Sequence, residues 1–463
     1  MLFNSLPFLY GFLPVTYIVF WLLKSKTQRY AWLALTGYGF YAGWNYKFCA
    51  LMAFSTVVAY LAGLGMLRWQ EPSWKRRLCL VLPVTTDLAL LGFFKYANFT
   101  LATATQLSGW LGWPLALPKL DIILPVGISF YTFHTVTYIV DAYRRVIIPT
   151  KNFFEFSCYV SLFAQLVAGP IVRFRQIEAD LERIGQADRA KTLDIGWSFF
   201  VIGLAKKVLI ADTIAAVIDP ALSKYTELSS LDAWLCVLGY TYQLYFDFTG
   251  YSDMAVGLGH LFGLRLPQNF NSPYKALDIA DFWRRWHMSL STFLRDYLYI
   301  SLGGNRCATP MVYRNIMITM LLGGLWHGAN WTFIIWGCYH GLLLVLYRMT
   351  QRWWDPLPAL ARGAMTFVMV VIGWVIFRST DMAMAETLLR AMFSWQPSGG
   401  TIGVNTLIGM LCLAAPLAHL GPNTFELRHQ WSSTTAVSMA LLLGLSVFVI
   451  YGARSTPFLY FQF

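Results

Sequence analysis

Apolar residues come in runs long enough to cross a lipid bilayer, and the runs recur from one end of the chain to the other. About 20 consecutive apolar residues carry a helix through the hydrocarbon core. Runs of that kind fall at 6–24, 47–67, 78–95, 121–143, 193–218, 331–349, 363–379, 404–420 and 434–452. Shorter or more polar runs lie at 30–43, 99–113, 153–172, 231–246, 252–264 and 313–326. A chain in lipid has to satisfy its own backbone hydrogen bonds, so these runs become helices. The pattern predicts an all-α integral membrane protein with about eleven to thirteen spanning or re-entrant segments. These form a single membrane domain over 1–463.

Small clusters of Lys and Arg punctuate the runs. Lys24, Lys26 and Arg29 follow the first span, Lys75, Arg76 and Arg77 the third, Arg144 and Arg145 the fifth. The positive-inside rule assigns these clusters to the cytosol and the N-terminus to the outside. Arg428 and His429, ahead of the last run, put the C-terminus outside as well. Alternation breaks down between about 172 and 330, which predicts re-entrant backbone there, buried in protein or lining a cavity. Composition sharpens the picture: 57% of residues are hydrophobic and only 13% charged, where a soluble domain is about a quarter charged. The net charge of +12 sits in loop clusters and forms no broad basic face, which argues for a membrane and against nucleic acid as partner. The seven cysteines are scattered without a C-x-x-C, so neither a disulfide framework nor a metal site is expected. The first run has no basic region before it and no small-residue cleavage site after it, so it does not read as a cleavable signal. No internal repeat is visible, which counts against a two-half transporter.

The polar residues concentrate between Asp247 and His340. Ionisable groups at membrane depth are expensive and usually functional. In Tyr245-Phe-Asp-Phe-Thr-Gly-Tyr-Ser-Asp253 two carboxylates flank a glycine break. They form either a cavity wall or two helix ends capped by Thr249, Ser252 and Asp253. Along 281–299, Arg284, His287, Ser291 and Arg295 make one polar stripe of an amphipathic interfacial helix. The same residues, with Arg285, also suit the mouth for an anionic, phosphate-bearing donor. The third stretch is Leu321-Leu-Gly-Gly-Leu-Trp-His-Gly-Ala-Asn-Trp331. Its Gly324-x-x-x-Gly328 spacing suits helix packing. His327, among small and aromatic neighbours, suits general base catalysis. No P-loop, G-x-S-x-G or H-E-x-x-H is present.

At these residues the chain resembles the membrane-bound O-acyltransferase family. Leu124-Pro-Val-Gly-Ile-Ser-Phe-Tyr131, Ala168-Gly-Pro-Ile171, Tyr245–Gly257, Phe282–Arg306 and Leu321–Asn330 carry the resemblance. It is narrower toward the bacterial polysaccharide branch, which the phrase Leu302-Gly-Gly-Asn-Arg306 favours. The resemblance implies a ring of helices around a tunnel, with a catalytic core over about 121–350. It implies that His327 is the catalytic histidine and His287 a second histidine on the same tunnel. The expected donor is acetyl-CoA or another acetyl thioester, with no permanently bound cofactor and no metal. Arg284, Arg285, Arg295, Trp326, Asn330 and Asp253 are the expected donor and substrate contacts, Asn330 or backbone amides being the candidates for the oxyanion. The acyl group is expected to leave on the periplasmic side of the bacterial inner membrane, where SGNH-hydrolase-type partners finish transfer to a glycan. Alginate ranks first among glycans, then cellulose or peptidoglycan. The apolar tail 457–463 carries one hydroxyl, Tyr460. It is either an interfacial anchor or, as the resemblance implies, an acyl relay. A transporter or flippase for a lipid-linked sugar is the rival class.

Overall fold

A computed structural model describes residues 2–452 and Leu459, apart from Pro114, Ala168 and 395–402. Among these residues the regular structure is helical throughout. Five stretches are long and apolar enough to cross a membrane: Lys26–Arg68, Trp74–Trp110, Trp331–Trp354, Ala359–Arg378 and Ser433–Gly452. Phe8–Leu22 and Val404–His419 are apolar but shorter. None of these lies between 172 and 330, the region where alternation of basic clusters failed. The chain divides into two compact units, residues 1–200 with 254–267, and 201–253 with 268–463.

The first unit holds α1 (Leu13–Leu22), α2 (Lys26–Asn45), α3 (Cys49–Arg68), α4 (Trp74–Trp110), α5 (Ile128–Tyr143), α6 (Phe153–Ser161), α7 (Phe163–Leu166), α8 (Phe174–Glu182) and most of α9 (Arg189–Ala205). Ser25 and Gln28 start α2 with a reciprocal capping box. At 37 residues α4 is about 55 Å long, so the runs at 78–95 and 99–113 belong to one helix. The expected span at 121–143 is helical only from Ile128, because Pro125 and Gly127, at φ +76°, interrupt the chain before it. Arg76 is more than a loop cation. Its guanidinium is buried and donates to the carbonyls of Met66 and Trp69 at the end of α3, and of Ala142 and Tyr143 at the end of α5. A cation there satisfies orphan carbonyls and meets the negative ends of two helix dipoles.

The second unit holds α10 (Asp212–Leu222), most of α11 (Ser230–Leu261), α12 (Ile279–Arg285), α13 (Met288–Phe293), α14 (Thr309–His327), α15 (Trp331–Trp354), α16 (Ala359–Arg378), α17 (Met382–Phe393), α18 (Val404–His419) and α19 (Ser433–Gly452). A π-helical segment, Lys206–Ala211, precedes α10, and another, Leu294–Tyr299, follows α13. Two sequence expectations are corrected here. The glycine break between Asp247 and Asp253 does not occur, because α11 runs through it as one helix. Gly250 is small for a different reason: a Cβ there would stand 2.7 Å from the Gly203 carbonyl oxygen. Residues 281–299 are not one amphipathic helix either. The chain turns at His287, which takes a left-handed conformation at φ +43°. That conformation is uncommon outside glycine. The turn is held by Asn269, whose carbonyl oxygen accepts the Met288 N–H at 2.8 Å.

Candidate active site

α14 and α15 form a tight hairpin. Gly324 and Gly337 allow it. A Cβ on Gly324 would lie 2.2 Å from the Phe333 carbonyl oxygen, and one on Gly337 2.4 Å from that of Met320. α14 ends at His327 because Gly328 is fully extended. Asn330 then restarts the helix, its side-chain oxygen accepting the Thr332 N–H at 3.2 Å. His327 is thereby fixed at the inner end of a rigid helix, buried, with ring neighbours Trp326 at 5.0 Å, Trp336 at 5.2 Å and Phe377 at 5.3 Å.

His327 opens onto a cavity of about 160 Å³ whose lining includes Trp283, Leu294, Arg295, Gly323 and Trp336. The walls are mostly apolar and aromatic. The polar exceptions are His327, Arg295, Ser291 and Thr319. Both hydroxyls donate to main-chain carbonyls, Ser291 to Trp286 and Thr319 to Asn315. Arg295 Nε donates to Asp296 Oδ1 at 2.7 Å. This hydrogen bond raises the guanidinium pKa above its ordinary value, so Arg295 is a permanent cation at this cavity.

His287 is fully buried, with its ring centroid 6.3 Å from that of His327. Its Nδ1 donates to Asn269 Oδ1 at 3.2 Å. The same oxygen accepts the Ser289 N–H at 3.2 Å and its hydroxyl at 2.9 Å. Phe248 packs edge-on to the imidazole at 4.8 Å. Trp326 is buried and packs against both histidines, 5.9 Å from His287 and 5.0 Å from His327.

The other expected contacts divide. Arg295 faces the cavity with His327. Arg285 is tied to Asp281 at 2.9 Å, and Arg284 is largely exposed, 3.6 Å from the same carboxylate. Asn330 commits its oxygen to the α15 cap and its amide to the Thr380 carbonyl at 2.7 Å. Asp253 meets Lys206 and Thr424, each at 2.6 Å. Tyr460 lies outside the described residues. The sequence reading missed Trp336, Phe377 and Asn269, which build the histidine pair's surroundings. It also missed Lys206 and Lys207, although two adjacent lysines inside an apolar run are a legible signal.

Residues 124–382 match the model of the membrane-bound O-acyltransferase family, and this range holds both histidines and the whole cavity. The chain is 43% identical to the probable alginate O-acetylase AlgI of Pseudomonas aeruginosa, over 92% of this chain and 82% of that one. It is 35% identical to the peptidoglycan O-acetyltransferase of Helicobacter pylori, over 100% of this chain and 98% of that one. Identity to the teichoic acid D-alanyltransferase of Bacillus subtilis is 30%, over 56% of this chain and 70% of that one. The chain belongs to the membrane-bound O-acyltransferase family.

Proposed function

We propose that this O-acyltransferase takes acetyl from a cytosolic thioester, acetyl-CoA first among them, and passes it across the bacterial inner membrane for O-acetylation of an exported polysaccharide. The observation that carries the reading is His327, buried at the end of α14 on a cavity of about 160 Å³ that also holds Arg295. A cavity of about 150 Å³ holds a group the size of benzene, which is room enough for an acetyl thioester. Alginate is the first candidate glycan, because relatives named for alginate acetylation match most or all of this chain. Peptidoglycan follows on the Helicobacter relative, and cellulose rests on the sequence resemblance. The helices are read as a ring of about eleven to thirteen spanning and re-entrant segments around a tunnel. Both termini are read as periplasmic, on the basic clusters.

The chemistry is thioester-to-hydroxyl transfer. A neutral His327 nitrogen takes the proton of the acceptor hydroxyl, and the oxygen attacks the acetyl carbonyl. The tetrahedral intermediate collapses, the C–S bond breaks, and the thiolate leaves with the proton held by the imidazolium. Arg295 meets the donor's phosphates as a charged hydrogen-bond donor. Trp326, Trp336 and Phe377 keep water from the thioester. Trp331, at the start of α15, is 45% exposed and contributes less. The proposed acceptor is Tyr460, which would carry acetyl to a periplasmic SGNH-hydrolase-type partner. Purified protein should release thiol from acetyl-CoA, which a flippase would not do. Tyr460→Phe keeps the aromatic ring and should abolish glycan acetylation, along with the acetyl mass shift on the C-terminal peptide. Normal glycan acetylation by that variant would leave Tyr460 as an anchor only.

A further inference from the structure

The transfer chemistry does not use the buried ions around Lys207. Lys206 and Lys207 open the π-helical segment Lys206–Ala211, and single π turns inside helices gather at functional positions. Lys207 Nζ lies 2.7 Å from Asp212 Oδ1 and 2.5 Å from Asp247 Oδ1. The Lys207 and Asp247 side chains are 3% and 2% exposed. The other oxygen of Asp247 accepts the main-chain N–H of Leu459 at 3.0 Å. Leu459 is itself 4% exposed, although it lies beyond α19, which ends at Gly452.

A buried carboxylate is tolerated only when its charge is compensated and both oxygens are engaged. Lys207 compensates one oxygen of Asp247, and a piece of chain far away in sequence engages the other. A bond from a carboxylate to a main-chain N–H is charge-assisted and short-ranged. It reads no side chain, so its effect is to fix where a segment sits and in what register. The residue after Leu459 is Tyr460. The seat also stands near the catalytic cavity within the same unit. Phe248, the chain neighbour of Asp247, packs on His287 at 4.8 Å, and that ring lies 6.3 Å from His327.

We propose that Asp247 is a positioning residue: held by Lys207, its carboxylate seats Leu459 through the main-chain N–H, one residue before Tyr460 in sequence. The seat stands on the contacts above. Its consequence for catalysis rests on the relay reading of Tyr460.

The test is hydrogen exchange followed by mass spectrometry on the full chain in detergent, reading the peptide 453–463, with glycan acetylation measured on the same variants in cells. Leu459→Pro removes the N–H and leaves the ion network whole, so it addresses the seat even where Asp247→Ala fails to fold. In the unaltered protein the Leu459 amide should be protected. In Leu459→Pro and Asp247→Ala the remaining amides of the peptide should exchange about tenfold faster or more, as expected for loss of a hydrogen bond to a charged group. Peptides from α14 and α15 should not change. Asp247→Asn keeps an oxygen acceptor and should restore most of the protection, an outcome that a purely structural role for the charge would not give. Glycan acetylation should fall with the protection. An unprotected tail in the unaltered protein, or protection that survives Leu459→Pro, overturns the seat. Lost protection with normal glycan acetylation supports the seat and removes the relay.

Discussion

Replacing Gly324 by alanine should force α14 and α15 apart, whereas the same change at its neighbour Gly323 should leave the hairpin intact. The added Cβ at Gly324 would lie 2.2 Å from the Phe333 carbonyl oxygen and 3.1 Å from the Gly337 main chain. Non-bonded heavy atoms settle at about 3.5 Å or more, so the helices must separate by about 1 Å. The obstacle is backbone and cannot rotate away. Overpacking typically costs ~1–3 kcal/mol, sometimes more, and alanine's better helix propensity returns about 1 kcal/mol. A clash with backbone puts the cost at or above the upper end of that range, so the net loss is ~2 kcal/mol or more, concentrated on the hairpin that holds His327. At Gly323 the nearest atom to the added Cβ is the Leu294 side-chain tip at 3.1 Å, which can yield. Stability should stay within about 1 kcal/mol of the parent, but the methyl enters the cavity beside His327. Thermal unfolding in detergent and thiol release from acetyl-CoA separate the two cases. Gly324→Ala should lower both the Tm and the rate, and Gly323→Ala only the rate. Equal behaviour of the two variants, or a Gly324→Ala protein as stable as the parent, would show that the Gly324 contact does not hold the hairpin.

Two further outcomes follow from the site. Arg295→Ala should raise KM for acetyl-CoA about tenfold, the worth of a charged hydrogen bond, and added salt should mimic part of the change. Arg284→Ala should leave KM near its parent value, because that side chain faces Asp281 and solvent; an unchanged KM in Arg295→Ala would remove the donor role. Asn269→Leu should cost ~2–4 kcal/mol by orphaning buried donors on His287 and Ser289 and should depress kcat, while Asn269→Asp, which keeps the acceptor, should recover much of both. Parent-like stability and kcat in Asn269→Leu would mean that His287 needs no such support.

Much of the helix inventory was legible because length and apolarity decide it. The runs at 331–349, 363–379, 404–420 and 434–452 each correspond to one helix with ends within a few residues. The place of His327 at the end of a helix was legible for a related reason, since Gly328 and Asn330 follow it where the apolar run stops. The break at His287 was not legible. Residues 281–299 have good helical spacing, and what turns the chain is Asn269, which reaches it from outside the local pattern. Asp247 and Asp253 look alike in sequence, yet one meets Lys207 and Leu459 and the other Lys206 and Thr424. Those partners come from distant parts of the chain, so neither local spacing nor hydropathy could name them. Gly324 serves helix packing, against Phe333 and Gly337, while Gly323 lines the cavity.

The most direct test of the central claim is acetyl transfer by His327→Ala, measured as thiol release from acetyl-CoA by purified protein with thermal unfolding recorded on the same sample. His327 sits at the end of α14, after the glycine contacts that hold the hairpin, so the variant should fold and unfold much like the parent. Loss of general base catalysis should lower the rate by ~10²–10⁴. A well-folded His327→Ala protein that retains activity within about threefold of the parent, where general base catalysis is worth at least ~10², would contradict the account.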